Sequence, residues 1–318
     1  MANELEKLVQ DKVERIENVP KEFLTKVEKE QLSIYKKILK LIDKTKRDSN
    51  GFIILNDANI DLLNEINNEV VSIVRTSDYK DFVNDFIKEF DGQLDINNEY
   101  FDNITGGVTV VPKDSEQIVA LYKRGALNDL LSKQALMSEF AKPINDLFKK
   151  AVTTEGSFVD LTESLRTIVV GDSEKQGKLR KYAGQIAWDA FAVSDRAYTK
   201  QLSEANDMEW FRYAGGLVED SRQFCMDKNG GYYHKKEVEN WGKQKQYNGT
   251  KYVKMPAWKG MIDGTTPKNI FTNLGGHRCL HSLIPVPISV VPKKDIQRCL
   301  DLGFIKLSDK KKKALKVL

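Results

Sequence analysis

Cysteine and histidine are scarce here, three of each in 318 residues. That scarcity excludes a disulfide-rich scaffold. No run of 18 apolar residues occurs, so no membrane-spanning helix is expected. The opening stretch MANELEKLVQDKVERIENVP mixes acidic and basic residues and has no apolar h-region. This argues against a secretory signal and leads to the expectation of an intracellular protein. Walker loops, GxGxxG, HExxH and GxSxG are all missing, so nucleotide hydrolysis, dinucleotide chemistry and the common hydrolase routes find no support.

What is present begins with enough apolar mass, 41% of residues, to bury a core over one to three domains. The net charge of +4 hides a division. Residues 1–110 carry 15 Lys and Arg against 22 Asp and Glu, a net −7, which leaves +11 for residues 111–318. All six sulfhydryl and imidazole residues, Cys225, His234, His277, Cys279, His281 and Cys299, fall in the last 94 residues. Any metal or thiol chemistry is therefore C-terminal.

Helical spacing dominates the first two thirds. Leu5, Leu8 and Val13 alternate with charge up to Glu17, and after Pro20 the residues Phe23, Val27, Leu32, Tyr35, Ile38 and Leu41 form one apolar stripe. The run Phe52 to Leu55 reads as a lead into a helix that Asp57 or Asn59 caps. Residues 57–102 hold 12 acidic side chains against 3 basic ones, either a solvated face or a docking face for a basic partner. Residues 1–104 thus form an acidic helical region, and Gly106-Gly107 to Pro112 mark a boundary. Residues 115–206 are again helical, with a kink or break expected at Pro143.

From residue 207 to 292 the texture becomes loop-rich, with five of the eight prolines. Trp210, Phe211 and Tyr213 before Gly215-Gly216, and Leu217 and Val218 after, read as strand, turn, strand. Pro285, Pro287 and Pro292 around Val286 and Ile288 suit an edge strand. Residues 293–318 form a basic tail with Lys310 to Lys313 and Lys316. The expected fold is a mainly α N-terminal region followed by a small α+β, loop-rich C-terminal module containing a Cys/His cluster.

Such a module needs a staple. In extended chain, residues two apart share a face, so Cys279 and His281 can grip one ion, and thiolate with imidazole is the donor set zinc selects. Cys225 is the natural third ligand, with His234, His277 or Asp220 as the fourth. A structural zinc ion would contribute on the order of 10 kcal/mol to folding, and a Cys225–Cys279 disulfide roughly 4 kcal/mol. Reduced thiols in a hydrogen-bonded core are the third possibility. Cys299 is expected to be packed in the core.

The order of these features resembles the phage minor head protein family, the Mu F-like head morphogenesis proteins. The resemblance rests on the Ala-rich helix from Tyr182 to Tyr198, the strand with Trp210, and Asp220-Ser-Arg222-x-x-Cys225. It also rests on the run from Gly231 to Trp241 with Glu237, and on the run Gly275 to Val286 with Cys279 and His281. It covers roughly residues 115–292. Lys228 stands where the family often has a second cysteine, and His281 stands at the last ligand position. The resemblance implies a noncatalytic virion component of a tailed phage or prophage, assembled in the host cytoplasm, in the capsid interior near the portal vertex. Portal protein, other capsid or scaffold proteins and packaged double-stranded DNA are the implied partners, with no membrane. Asp220 and Arg222 would brace a loop by hydrogen bonds, with Glu237 and Trp241 belonging to the structural motif. The competing expectation is a zinc-dependent nuclease using His277, His281 and Glu237, or a toxin-like effector carrying the same module.

Overall fold

The first helix shows how one phase of apolar residues overrides a helix breaker. In the computed structural model, which describes residues 2–315 and Val317, α1 runs unbroken over Ala2–Ile42 with Pro20 inside it. Proline removes one backbone hydrogen bond. Val9, Ile16, Val19, Phe23, Val27, Ile34 and Ile38 nevertheless stay buried in one continuous stripe. The sequence reading placed Leu32 in that stripe, yet it is 46% exposed, and the buried position beside it is taken by Gln31. The Gln31 amide accepts from Arg180 N (2.8 Å) and donates to Val170 O (3.2 Å), satisfying two backbone groups.

Helices α2 (Asp57–Arg75), α3 (Tyr79–Thr105), α4 (Ser115–Leu131) and α5 (Lys133–Leu136) follow. A π-helical turn, Met137–Ala141, leads into α6 (Lys142–Thr153), which carries Pro143 in its first turn, where its missing N–H costs nothing. Next come α7 (Phe158–Val169) and α8 (Lys178–Ala205). The cap of α2 is Asn56, whose side chain accepts from Asn59 N, rather than Asp57 or Asn59. Asn59 is instead buried, tying Lys46 and Ile54 backbone groups to the helix start. Phe52 and Ile53 form only isolated bridges, with Ser157 and Arg47.

The last third is mixed: β1 (Trp210–Ala214), α9 (Gln223–Lys228), β2 (Tyr232–His234), α10 (Lys235–Gly242), β3 (Lys245–Tyr247), β4 (Tyr252–Lys254) and α11 (Ile270–Asn273). Then follow β5 (Ser282–Pro285), α12 (Lys293–Asp301) and α13 (Asp309–Leu315). Of the lysine tail, Lys316 lies outside the described residues. The strand order β2-β1-β5 is antiparallel throughout and puts β1 in the centre, with Phe211 opposite Tyr233 and Pro285. β5 is thus an edge, where its proline is tolerated, but it stops at Pro285: the stretch around Val286 and Ile288 expected as the edge strand instead holds a 3-10 turn, Ile288–Val290. Leu217 and Val218 form no second strand; they are 51% and 54% exposed in a turn. The fold is helical in its N-terminal part, with a small sheet and the Cys225/Cys279/His281 cluster in its C-terminal part.

Contacts divide the chain into two compact units that do not follow the segments 1–104, 115–206, 207–292 and 293–318. One comprises Met1–Glu17, Phe90–Tyr122 and Trp188–Leu318; the other comprises Asn18–Glu89 and Lys123–Ala187. The second unit is helical, with Phe23 stacked on Phe86 at 4.8 Å and the Tyr79 hydroxyl donating to Leu130 O at 3.2 Å. The first holds the sheet. Its helices are joined by a fully buried ion pair, Lys12 Nζ to Asp195 Oδ1 at 3.3 Å. Asn97 and Thr199 each accept from Lys12 at 2.6 Å, and Gln93, Asn97 and Ser282 donate to Asp195. Burial pushes the Lys12 ammonium below its ordinary range, and the Asp195 charge opposes that.

Candidate functional site

Strand alternation sorts the side chains of β1 into two cores. Phe211 and Tyr213 enter one, with Phe224, Cys225, Val238, Trp241, Ile270, Phe271 and Cys279. Trp210 enters the other, with Val286, Val291, Ile296 and Cys299. The first core contains the sulfur cluster, and the second contains a charged one.

Cys225 lies in the short helix α9, whose start is fixed by Arg222 donating to His277 O. Cys279 is delivered by a tight loop with Gly276 at φ +102° and Arg278 at φ +55°. That loop is anchored by Arg278 N donating to Asp189 (2.6 Å), His277 N donating to Gly260 O (3.1 Å) and Trp258 Nε1 donating to Gly275 O (3.0 Å). His281 stacks on the Tyr213 ring with centroids 5.0 Å apart. Two glycines make room: a Cβ at Gly275 would lie 2.4 Å from Cys225 Sγ and 2.9 Å from Cys279 Sγ. A Cβ at Gly215 would lie 2.7 Å from His281 Cα. Neither position tolerates a side chain.

Within this pocket Cys225 Sγ and Cys279 Sγ are 3.8 Å apart, Cys279 Sγ and His281 Nδ1 are 3.9 Å apart, and all three ligand atoms lie within 4.8 Å of one another. Two thiolates on tetrahedral zinc at 2.3 Å each are separated by about 3.8 Å, so the sulfurs stand at a coordinating spacing. No disulfide joins them. The other imidazole nitrogen, Nε2, is buried with no hydrogen-bond partner among the described residues. Cys225, Cys279 and His281 could therefore hold a metal ion. All three are nearly inaccessible, at 2%, 2% and 3% exposure.

Electrostatics distinguishes the two sulfurs. The Cys225 thiol donates towards Cys279, which with burial holds Cys225 protonated; the same hydrogen bond, with His281 and the Arg196 charge, pulls Cys279 towards its thiolate against burial. Burial pushes the Tyr213 phenol up, and the two sulfurs add to this. Lys228 is buried with its ammonium 4.4 Å from the Phe224 ring and 5.0 Å from the Trp241 ring. It packs by cation–π attraction.

The other expected residues sit elsewhere. His234 caps α10: its Nδ1 accepts from Lys236 N (3.3 Å), its Nε2 is 3.7 Å from Glu209, and it does not belong to the metal-capable group. Asp220 lies exposed in the turn before α9. His277, 65% exposed, faces Asp189 at 3.6 Å. Glu237 is buried by a double ion pair with Arg298 (3.0 and 3.1 Å) and accepts from His234 N (3.0 Å) and the Cys299 thiol (3.3 Å). With Glu237 and His277 so placed, the His277/His281/Glu237 trio is not assembled. Trp241 packs on Tyr213, Phe224 and Tyr233, and Cys299 is fully buried.

Two members were not singled out as site residues, Tyr213 and Gly275. Tyr213 was legible as a residue sharing the Phe211 face of β1, and Gly275 as the first glycine before Cys279. Set against family models, curated proteins and solved structures, the chain matches none of them.

Proposed function

We propose that this chain is a noncatalytic minor head protein of a tailed phage or prophage, acting in head assembly near the portal, its C-terminal module clamped by structural zinc. Zinc would be held by Cys225, Cys279 and His281 and would supply folding energy, not Lewis-acid chemistry. The observation that carries the noncatalytic reading is the burial of all three donors beneath aromatic rings, with no carboxylate among the described residues joining their group to move a proton. The head assignment rests on the order of motifs from Tyr182 to Val286. The acidic stretch 57–102 suits a basic portal or scaffold surface, and the lysines of α13 suit packaged DNA through counterion release.

Co-expression with portal and scaffold proteins tests this. The chain is expected to sediment with portal-containing particles and to leave DNA intact in the presence of zinc. Abundance in the lysate with absence from particles overturns the assembly role. Zinc-dependent DNA cleavage that is lost in His281→Ala establishes the nuclease reading instead.

A further inference from the structure

Three protein donors leave a tetrahedral ion one ligand short. Sequence reading offers His234, His277 or Asp220 for that place, but His234 caps α10, His277 faces Asp189 and Asp220 is exposed. A fourth donor, an oxygen, nevertheless stands over the sulfur pair. The Tyr213 hydroxyl is 3.4 Å from Cys225 Sγ and 3.8 Å from Cys279 Sγ.

These separations match the edges of one coordination polyhedron. On a tetrahedral zinc with Zn–S near 2.3 Å and Zn–O near 2.0 Å, thiolate and oxygen donors stand about 3.5 Å apart. Thiolate and imidazole nitrogen stand about 3.6 Å apart. Four of the six edges measure 3.4 and 3.8 Å for sulfur–oxygen, 3.8 Å for sulfur–sulfur and 3.9 Å for Cys279 sulfur to His281 nitrogen, and the edge from Cys225 to His281 is within 4.8 Å. The bare backbone at Gly275 keeps the space beside both sulfurs open, since any side chain there would collide with them. Tyr213 is also held firmly: it is fully buried on the central strand, stacked on His281 and edge-on to Phe224 and Trp241. A donor preset by packing loses little freedom on coordination.

We infer that Tyr213 supplies the fourth donor, through its phenol oxygen, and closes the site to solvent as a centre of two thiolates, one imidazole and one phenolate. The inference rests on the structural-metal reading and deepens it. A closed centre of this composition has no place for a substrate or a reactive water, unlike catalytic zinc, which keeps one position for water.

The test uses the full chain purified without metal and loaded with zinc or cobalt(II). Loading the unaltered protein is expected to give the ultraviolet difference spectrum of one coordinated phenolate, a measurement that needs no variant. In Tyr213→Phe, which keeps the ring and its packing, that signal disappears. Zinc affinity is then expected to fall roughly 10- to 100-fold, the scale of losing one supporting group at a metal site, and the cobalt ligand-field bands to change. If the unaltered protein loads with no phenolate signal, and Tyr213→Phe matches it in affinity and cobalt spectrum, the Tyr213 assignment is overturned and the three-ligand site stands. If the unaltered protein takes up neither metal, the structural-metal reading and the Tyr213 assignment fall together.

Discussion

Two buried polar clusters lie on opposite faces of the same strand, and they are built on opposite principles. Around Glu237 opposite charges answer one another: a carboxylate takes both arms of Arg298, a backbone N–H and a thiol, and Arg298 also reaches Asp295 and the Tyr232 carbonyl. Around Cys225 two sulfurs, an imidazole and a phenol converge, and the same atoms that hydrogen-bond to one another are soft or borderline metal donors. A cluster complete in itself serves the fold. A cluster of soft donors facing one point could hold a metal ion. Burial alone does not separate the two, and neither does hydrogen-bond accounting, since His234 Nε2 and His281 Nε2 both lack a hydrogen-bond partner among the described residues; the donor chemistry does.

Removing the outside component should break the comparison most sharply. Chelation, or Cys279→Ser, is expected to remove a contribution on the order of 10 kcal/mol from the loaded protein. The region from β1 to β5 should then lose protection in hydrogen exchange, which is the measurement to make. The charged cluster is vulnerable instead to a single truncation. Arg298→Ala leaves the Glu237 carboxylate buried and unmatched, and should cost about 3–5 kcal/mol in urea denaturation. Glu237→Gln together with Arg298→Met should cost less, because no bare charge remains.

The smallest effect concerns Tyr233, packed on Trp241 between the two clusters. Burial pushes its phenol up to about 12 from an ordinary value near 10. The folded chain then keeps a proton that the unfolded chain releases. The stabilisation is present below pH 10 and is lost as pH rises towards 12. Up to about 2 kcal/mol should disappear over that interval in alkaline denaturation, and Tyr233→Phe should flatten that part of the curve.

Much of this was legible before any coordinates. Periodicity located the helices, because the apolar stripe of α1 is written in residues three and four apart, and the pairing of Cys279 with His281 follows from alternation in extended chain. Three things were hidden. Pro20 suggests a break, but the stripe keeps its phase on both sides and packing outweighs one lost hydrogen bond. His234 looks like a ligand because imidazoles bind metals, yet its neighbour three residues on, Glu237, completes a capping box that uses the ring as a helix cap. Tyr213 looks like an ordinary core aromatic, and only the loop that folds Cys279 back onto α9 brings sulfur to its hydroxyl. Such long-range meetings leave no local trace in the chain.

The buried Lys12–Asp195 pair has a consequence for synthesis. Lys12 leaves the ribosome 183 residues before Asp195 and 187 before Thr199. Tyr100 likewise waits 185 residues for the Pro285 carbonyl that it will hold. The unit that contains them therefore cannot be completed until long after its first helix has been made. A nascent chain must make those 183 residues with that ammonium in water, so a fragment that stops short of Asp195 strands a helix built around an absent counter-charge.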